Sequence, residues 1–269
     1  VALARPQFGS KLKEVTRTGI EMMLAVDVSN SMLAQDFEPS RLERTKFAID
    51  RLTQQLEQDR IGLIVFAGDA YMQLPITSDY VAARSFAAQI SPTMVSKQGT
   101  AIGAAIDLAA SSFSSGSEGS RVIVVISDGE NHEDDALAAA KAAAEKGIRI
   151  YTIGIGTPEG APISIDGEFI KDEQGDMVVS KLDEQMLEQI ALTTGGAYIR
   201  ATNRSLGLDE IVQKINEVEK KELTSTVFED FNEQYQYLIG LALALLLLEF
   251  AMLERRSRLL ARFNIFRKR

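Results

Sequence analysis

The chain has 269 residues, 45% of them apolar and 25% charged, an ordinary globular composition that can bury a substantial core in one large domain or two small ones. It has no cysteine, which excludes disulfides, thiolate metal sites and thiol nucleophiles. Its net charge of −9 argues against a nucleic-acid-binding protein, because phosphate groups would be repelled.

Strands and helices are predicted to alternate along most of the chain. Nearly unbroken apolar runs predict strands buried on both faces of a parallel sheet, at 19–26, 61–67, 121–126, 148–153 and 197–201. Residues 71–76 alternate more and predict an antiparallel strand at the sheet edge. Helices are predicted at 40–56, 79–89, 99–113, 133–147, 184–194 and 206–223. This order predicts an α/β domain over residues 19–223, with a doubly wound, mostly parallel sheet and helices on both faces.

Residues 162–180 interrupt this alternation. The short alternating segments there are separated by Asp166-Gly167 and by Gln174-Gly175-Asp176, residues that favour tight turns. We therefore expect a small β-hairpin inserted in a loop of the domain.

A membrane anchor is predicted after the domain. Residues 224–234 are interpreted as a linker, and residues 235–253, apolar with the exceptions of Gln236 and Glu249, are about as long as is needed to cross ~30 Å of hydrocarbon. Residues 254–269 hold seven Lys or Arg and one Glu. The positive-inside rule places this basic tail in the cytoplasm and the acidic domain on the other side, which in a bacterium is the periplasm or the exterior.

Five oxygen-bearing side chains are candidate ligands of a divalent cation. Asp27, Ser29 and Ser31 follow the first predicted strand at alternate positions, Thr100 lies in a loop before a helix, and Asp128 follows the clearest strand of the sequence. Ligands of a doubly wound sheet bind beyond the carboxyl ends of its strands, where neighbouring strands would bring the two carboxylates together. Carboxylates and hydroxyls without nitrogen or sulfur favour a hard cation such as Mg²⁺.

The same residues also have simpler interpretations. Asp and Ser cap helices and turns without any metal, so Asp27 and Ser29 taken alone are ambiguous. Thr100 could be a plain helix N-cap. His132, the single histidine, is expected to be a solvated residue at the start of a helix.

Three motifs in order resemble the metal-ion-dependent adhesion site (MIDAS) of von Willebrand factor A domains. They are D-x-S-x-S at residues 27–31, Gly99-Thr100, and Ser127-Asp128-Gly129. The resemblance implies that the five candidate ligands hold Mg²⁺ or another divalent cation such as Mn²⁺ or Ca²⁺. It also implies that a protein partner supplies a Glu or Asp carboxylate to a position left open on the metal.

A narrower resemblance, to the bacterial Bat proteins of the aerotolerance operon, covers nearly the whole chain. It rests on the predicted hairpin, the predicted span and four motifs, ARPQ (4–7), FAGDA (66–70), LPITSD (74–79) and YTIGIG (151–156). It implies an inner-membrane protein with the A domain outside the cytoplasm, and partners among other Bat proteins and a MoxR-type AAA+ ATPase. Such relatives usually have apolar segments before the A domain, and the lead-in of residues 1–18 is expected to be the remnant of one.

An enzyme is the less favoured interpretation. A haloacid-dehalogenase-like phosphatase also places an Asp and Mg²⁺ after its first strand, but Ser29 stands where its second Asp would be the general acid. A Ser-His-Asp hydrolase would need a G-x-S-x-G elbow, and neither this elbow nor a P-loop occurs in the sequence. We therefore predict a membrane-anchored, metal-dependent protein-interaction module that is not an enzyme. A scaffold whose metal only ties loops together is a further alternative.

Overall fold

The computed structural model describes residues 7–10, 19–56, 59–113, 120–131, 133–165, 167–202, 205–227, 231–233 and 235–253. The chain divides into two compact units. One unit is Thr16–Glu219, and the other combines Val1–Val15 with Lys220–Arg269. His132 and the basic tail of residues 254–269 lie outside the described residues, as does most of the lead-in.

Strands and helices alternate as predicted. The strands of the described residues are β1 (Gln7–Ser10), β2 (Glu21–Asp27), β3 (Arg60–Phe66), β4 (Ala70–Thr77), β5 (Arg121–Ser127), β6 (Arg149–Gly154), β7 (Ala161–Pro162), β8 (Ser164–Ile165), β9 (Glu168–Phe169), β10 (Val179–Ser180), β11 (Tyr198–Arg200) and β12 (Phe231–Glu233). The helices are α1 (Arg41–Thr53), α2 (Tyr80–Ala88), α3 (Ile102–Ser111), α4 (Ala136–Glu145), α5 (Glu184–Thr193), α6 (Leu208–Val227) and α7 (Tyr235–Leu253).

A six-stranded sheet forms the centre of the larger unit, in the order β11-β6-β5-β2-β3-β4. Its strands are parallel except for the edge strand β4, which is antiparallel to β3. The chain first moves outwards from β2 to β3 and β4, and then returns to β5 on the other side of β2. The strand order therefore reverses between β2 and β5, and in open α/β sheets ligands bind at this reversal.

Helices cover both faces of this sheet, as a doubly wound fold requires. Successive residues of β2 point to opposite faces, so Leu24 and Val26 pack in a core with residues of α1, α2 and α6, while Met23 and Ala25 pack in another with residues of α3, α4 and α5. All four side chains are fully buried. The apolar run that predicted a central strand thus belongs to two cores at once.

The inserted hairpin is confirmed. Residues 161–180 form two short antiparallel pairs, β7 with β10 and β8 with β9, and Lys171 bridges to Met177. Glycines with positive φ occupy both turns, Gly167 at 87° and Gly175 at 90°. Such φ values cost little only in glycine, which explains why this sequence forms turns at these two positions.

The last helix of the domain extends past its predicted end at about residue 223. Helix α6 continues to Val227, so the first residues of the predicted linker 224–234 are helical. No Gly or Pro interrupts the sequence between residues 208 and 227, and a helix without such a stop signal extends. Phe231–Glu233, also predicted as linker, is a strand that pairs with β1.

The predicted span of residues 235–253 is a helix, α7, along its whole length. Its side chains are described over residues 239–249. In the part of the chain whose side chains are described, no helix is long and apolar enough to cross a membrane.

The two-sided core predicts which substitutions unfold the larger unit. Leu24→Ala should lower the free energy of unfolding by about 2–5 kcal/mol, because it leaves a cavity beneath the helices. Leu192→Ala, a matched change of a leucine that is 64% exposed on α5, should stay within about 0.5 kcal/mol of the wild type. Urea unfolding measures both values, and equal effects of the two changes would contradict this description of the core.

Candidate functional site

Asp27 is held at the carboxyl end of the central strand. Its side chain is fully buried, and its Oδ1 accepts a hydrogen bond from the backbone N–H of Ser29 at 2.9 Å. Its Oδ2 accepts one from the hydroxyl of Ser127, at the end of neighbouring β5, at 2.6 Å. These two hydrogen bonds therefore fix the orientation of the Asp27 carboxylate in the absence of a ligand.

Ser29 and Ser31 lie beside this carboxylate, in the turn that leaves β2. Residues Asn30–Leu33 form one turn of 3-10 helix with Ser29 at its N-cap, but the Ser29 side chain makes no capping hydrogen bond. Instead, its Oγ lies 2.8 Å from the Oγ of Ser31. The two hydroxyls therefore lie side by side next to the end of β2, and the Ser29 side chain does not cap this turn.

Asp128 follows β5, the strand paired with β2, and its side chain is fully buried. Its two carboxylate oxygens differ in their surroundings. Oδ2 accepts hydrogen bonds from Arg41 Nη1 at 3.1 Å and from the hydroxyl of Ser180 at 3.0 Å. Oδ1 accepts one from the backbone N–H of Glu130 at 3.3 Å.

Thr100 reaches the same edge of the sheet through the loop before α3. The backbone N–H of Ala101 donates to the carbonyl oxygen of Ala67, after β3, at 2.7 Å. The Gln98 side chain accepts a hydrogen bond from the N–H of Asn30 at 3.2 Å, which joins this loop to the serine turn. Thr100 itself is buried.

Thr100 is not the N-cap of α3. The N-cap is Ala101, which has no side-chain capping bond. The first N–H groups of the helix are bound by side chains that precede α4, with Asn131 accepting from Ile102 and Asp134 accepting from the next two residues. The Thr100 hydroxyl therefore has no capping role to fulfil.

Arg41 is a site residue that the sequence analysis missed. Although it begins α1, its side chain is fully buried. Its Nε and Nη2 donate to the two carboxylate oxygens of Asp36 at 2.7 and 2.8 Å, while Nη1 donates to Asp128 and to the Ser180 hydroxyl. The one signal in the sequence is its position, because a cation in the first turn of a helix is unfavourable to the helix dipole and needs a partner.

The surroundings of Arg41 are adapted to it. Gly156, with φ of 141°, lies against the guanidinium, and a Cβ atom there would come within 3.0 Å of its Cζ. Asp36 also accepts hydrogen bonds from the N–H and the hydroxyl of Thr157. Burial favours the neutral form of Asp36. The hydrogen bonds and positive charge of Arg41, together with the hydrogen bonds from Thr157, outweigh the effect of burial and lower the pKa of Asp36. Asp36 is therefore a carboxylate.

Asp27 has the opposite electrostatic environment. Burial and the nearby charge of Asp128 raise its pKa from 3.8 to about 7, although the hydrogen bonds from Ser127 and Ser29 oppose the shift. Each of the two buried carboxylates disfavours the negative charge of the other, and a bound cation would relieve this repulsion. A divalent cation fits that charge, and the donor set of carboxylates and hydroxyls fits a hard one. Among the described residues, no three His, Cys, Asp or Glu side chains form a metal-binding group, so the hydroxyls would have to serve as ligands.

Comparisons with known proteins agree with this architecture. A model of the von Willebrand factor type A domain matches residues 21–214. An aerotolerance-related membrane protein from Bacteroides fragilis is 52% identical, with a TM-score of 0.71 over 74% of this chain and 100% of that one. The protein BatB from Bacteroides thetaiotaomicron is 51% identical, with a TM-score of 0.72 over 75% of this chain and 100% of that one. The resemblances to von Willebrand factor A domains and to the Bat proteins are confirmed at the level of the family.

A more distant structure shares the fold. Proximal thread matrix protein 1 of the mussel byssus, in a structure with a zinc-occupied MIDAS motif, is 15% identical. Its TM-score is 0.57 over 74% of this chain and 46% of that one.

The raised pKa of Asp27 predicts how the stability of the metal-free protein depends on pH. The folded state holds this proton more tightly than the unfolded state, so the contribution of Asp27 to stability is fully present below pH 3.8 and is lost as the pH rises through about 7. In Asp27→Asn this loss should be absent. Urea unfolding in chelator between pH 4.5 and 8 measures it, and parallel pH profiles of the two proteins would contradict it.

Proposed function

Because the chain belongs to the von Willebrand factor type A domain family, we propose that its carboxylate pair forms a metal-ion-dependent adhesion site. In this proposal a divalent cation is held by five side chains and binds an acidic residue of a protein partner. The five are Asp27, Ser29, Ser31, Thr100 and Asp128. The observation that carries the proposal is the burial of two neighbouring aspartates, Asp27 and Asp128, at the reversal of the strand order.

The chemistry of the five ligands indicates which cation they would hold. Carboxylate and hydroxyl oxygens are the ligands that Mg²⁺ prefers, and they also bind Mn²⁺ and Ca²⁺. The zinc-occupied motif of the mussel protein supports a divalent cation in this fold, at the level of the fold alone. When bound, the cation supplies positive charge that attracts an anionic oxygen from outside the chain.

The residues around the site are suited to binding. Asp27 and Asp128 would balance the charge of a dication without exceeding it, so a coordination position left open on the metal could accept a further carboxylate. The position of Ser29, where a phosphatase of the haloacid-dehalogenase type needs its second aspartate, holds a hydroxyl hydrogen-bonded to Ser31. These observations favour an interaction module over an enzyme.

We further propose that the domain is anchored in the inner membrane by α7. The related protein from Bacteroides fragilis is described as a membrane protein. Leucines 245–248 of α7 are 59–65% exposed in a helix that continues from Tyr235 to Leu253, and such a surface calls for lipid or a partner helix. The basic residues after it would stay in the cytoplasm, with the domain in the periplasm. Other Bat proteins and a MoxR-type ATPase are the proposed partners.

Partner capture tests the proposed site. Wild-type protein in detergent-solubilised membranes should retain its partners in Mg²⁺ and release them in chelator, because the partner's carboxylate binds through the metal. Asp27→Ala should fail to capture them in either buffer. Asp107→Ala, which removes an exposed acid of α3, is the matched control and should behave like the wild type.

The other outcomes separate the alternatives. Capture that is equal in chelator and in Mg²⁺ would contradict the adhesion site. If chelator then lowered only the melting temperature, the metal would serve as a scaffold that ties loops together. Metal-dependent hydrolysis of phosphate esters that disappears in Asp27→Asn would instead show a phosphatase.

A further inference from the structure

We propose that the ion pair of Arg41 and Asp36 sets the metal affinity of the site by acting through Asp128. In this role Arg41 is a positioning residue that lowers the affinity for the cation, and Asp36 partly restores it. The inference rests on the proposed metal site, and it concerns residues that the three sequence motifs do not contain.

The two carboxylate oxygens of Asp128 have different hydrogen-bond partners. Oδ2 already accepts from Arg41 Nη1 at 3.1 Å and from the Ser180 hydroxyl at 3.0 Å, which uses its lone pairs. Oδ1 accepts only the longer bond from Glu130 N–H among the hydrogen bonds of the described residues. Asp128 can therefore offer a cation one oxygen, and that oxygen belongs to a carboxylate whose charge is shared with a guanidinium.

The orientation of the ion pair determines the sign of its effect. Nη1 of Arg41 faces Asp128, whereas Nε and Nη2 face Asp36 on the other side of the guanidinium. The positive end of the pair is thus nearer to the metal ligand than the negative end. Arg41 and Asp128 are fully buried, with side-chain exposures of 0%, and Asp36 is partly buried, with a side-chain exposure of 7%. Solvent screens such charges little, so a dication bound by Asp128 is repelled by Arg41.

The same contacts connect the metal ligand to the base of the inserted hairpin. Arg41 donates both to the hydroxyl and to the carbonyl oxygen of Ser180, the last residue of β10. At the other end of the insertion, Thr157 donates to Asp36. The backbone N–H of Asp183 donates to the carbonyl oxygen of Asp128 at 2.8 Å. The base of the hairpin therefore helps to hold the guanidinium and the aspartate in register.

Two substitutions should change the metal affinity in opposite directions. Arg41→Gln removes the positive charge that lies nearest to Asp128, so Mg²⁺ should bind about tenfold more tightly than to the wild type. Asp36→Asn keeps the shape but removes the charge that offsets Arg41, so Mg²⁺ should bind about tenfold more weakly. A merely structural role for these residues would weaken binding in both variants.

Isothermal titration calorimetry of the purified full chain in detergent with Mg²⁺ alone measures these affinities, after circular dichroism has verified the fold of each variant. Arg51→Gln and Asp209→Asn are matched controls, because they disrupt the ion pair between the exposed Arg51 of α1 and Asp209, and should leave the affinity unchanged. If Arg41→Gln does not fold, the double variant Arg41→Gln/Asp36→Asn takes its place. Because the positive charge is nearer to Asp128 than the negative one, the double variant should bind Mg²⁺ more tightly than the wild type, whereas a merely structural role would weaken binding. An unchanged or tighter affinity in Asp36→Asn, or a weaker one in a folded Arg41→Gln, overturns the inference. Absence of Mg²⁺ binding by the wild type would overturn the metal site itself.

Discussion

The arrangement depends on one electrostatic constraint, the burial of Asp27 and Asp128 next to each other. Like charges in a protein interior repel strongly, and the raised pKa of Asp27 reflects that repulsion together with the loss of solvent. The fold supports the pair with directed hydrogen bonds from Ser127, Ser180 and the backbone. A cation that binds between the two carboxylates would relieve their repulsion and stabilise the folded domain. The burial of this pair therefore links the fold to the proposed function.

Arg41 changes how that charge is distributed. The guanidinium of Arg41 forms one ion pair with Asp128 and another with Asp36. Asp27 has no such cationic partner in these contacts, so the negative charge of the pair is least balanced on the side of Asp27 and the serine turn. The inserted hairpin, which has no obvious purpose in the sequence, supplies Ser180 to this arrangement. The insertion and the proposed metal ligands therefore form one connected unit, although the residues of this unit lie far apart along the chain.

The sequence predicts the parts of this site that depend on local patterns. Asp27 and Asp128 each end an apolar strand, and parallel neighbours bring such ends together, so their pairing could be predicted. The contacts of Arg41 could not, because it lies 139 residues from Ser180 and no local rule fixes the register of a hairpin against a helix. The end of α6 was also missed, since residues 224–227 carry neither a stop signal nor a strong helix preference.

The most direct test of the central claim is the position of a bound cation. Crystals of the domain soaked in Mn²⁺ and measured at a wavelength where manganese scatters anomalously should give one strong peak within coordination distance of Asp27, Ser29 and Ser31. The same experiment on Asp27→Ala should give none there. A wild-type crystal saturated with Mn²⁺ that has no peak at these side chains, or has its peak elsewhere, would contradict the proposal that the buried aspartates form a metal site.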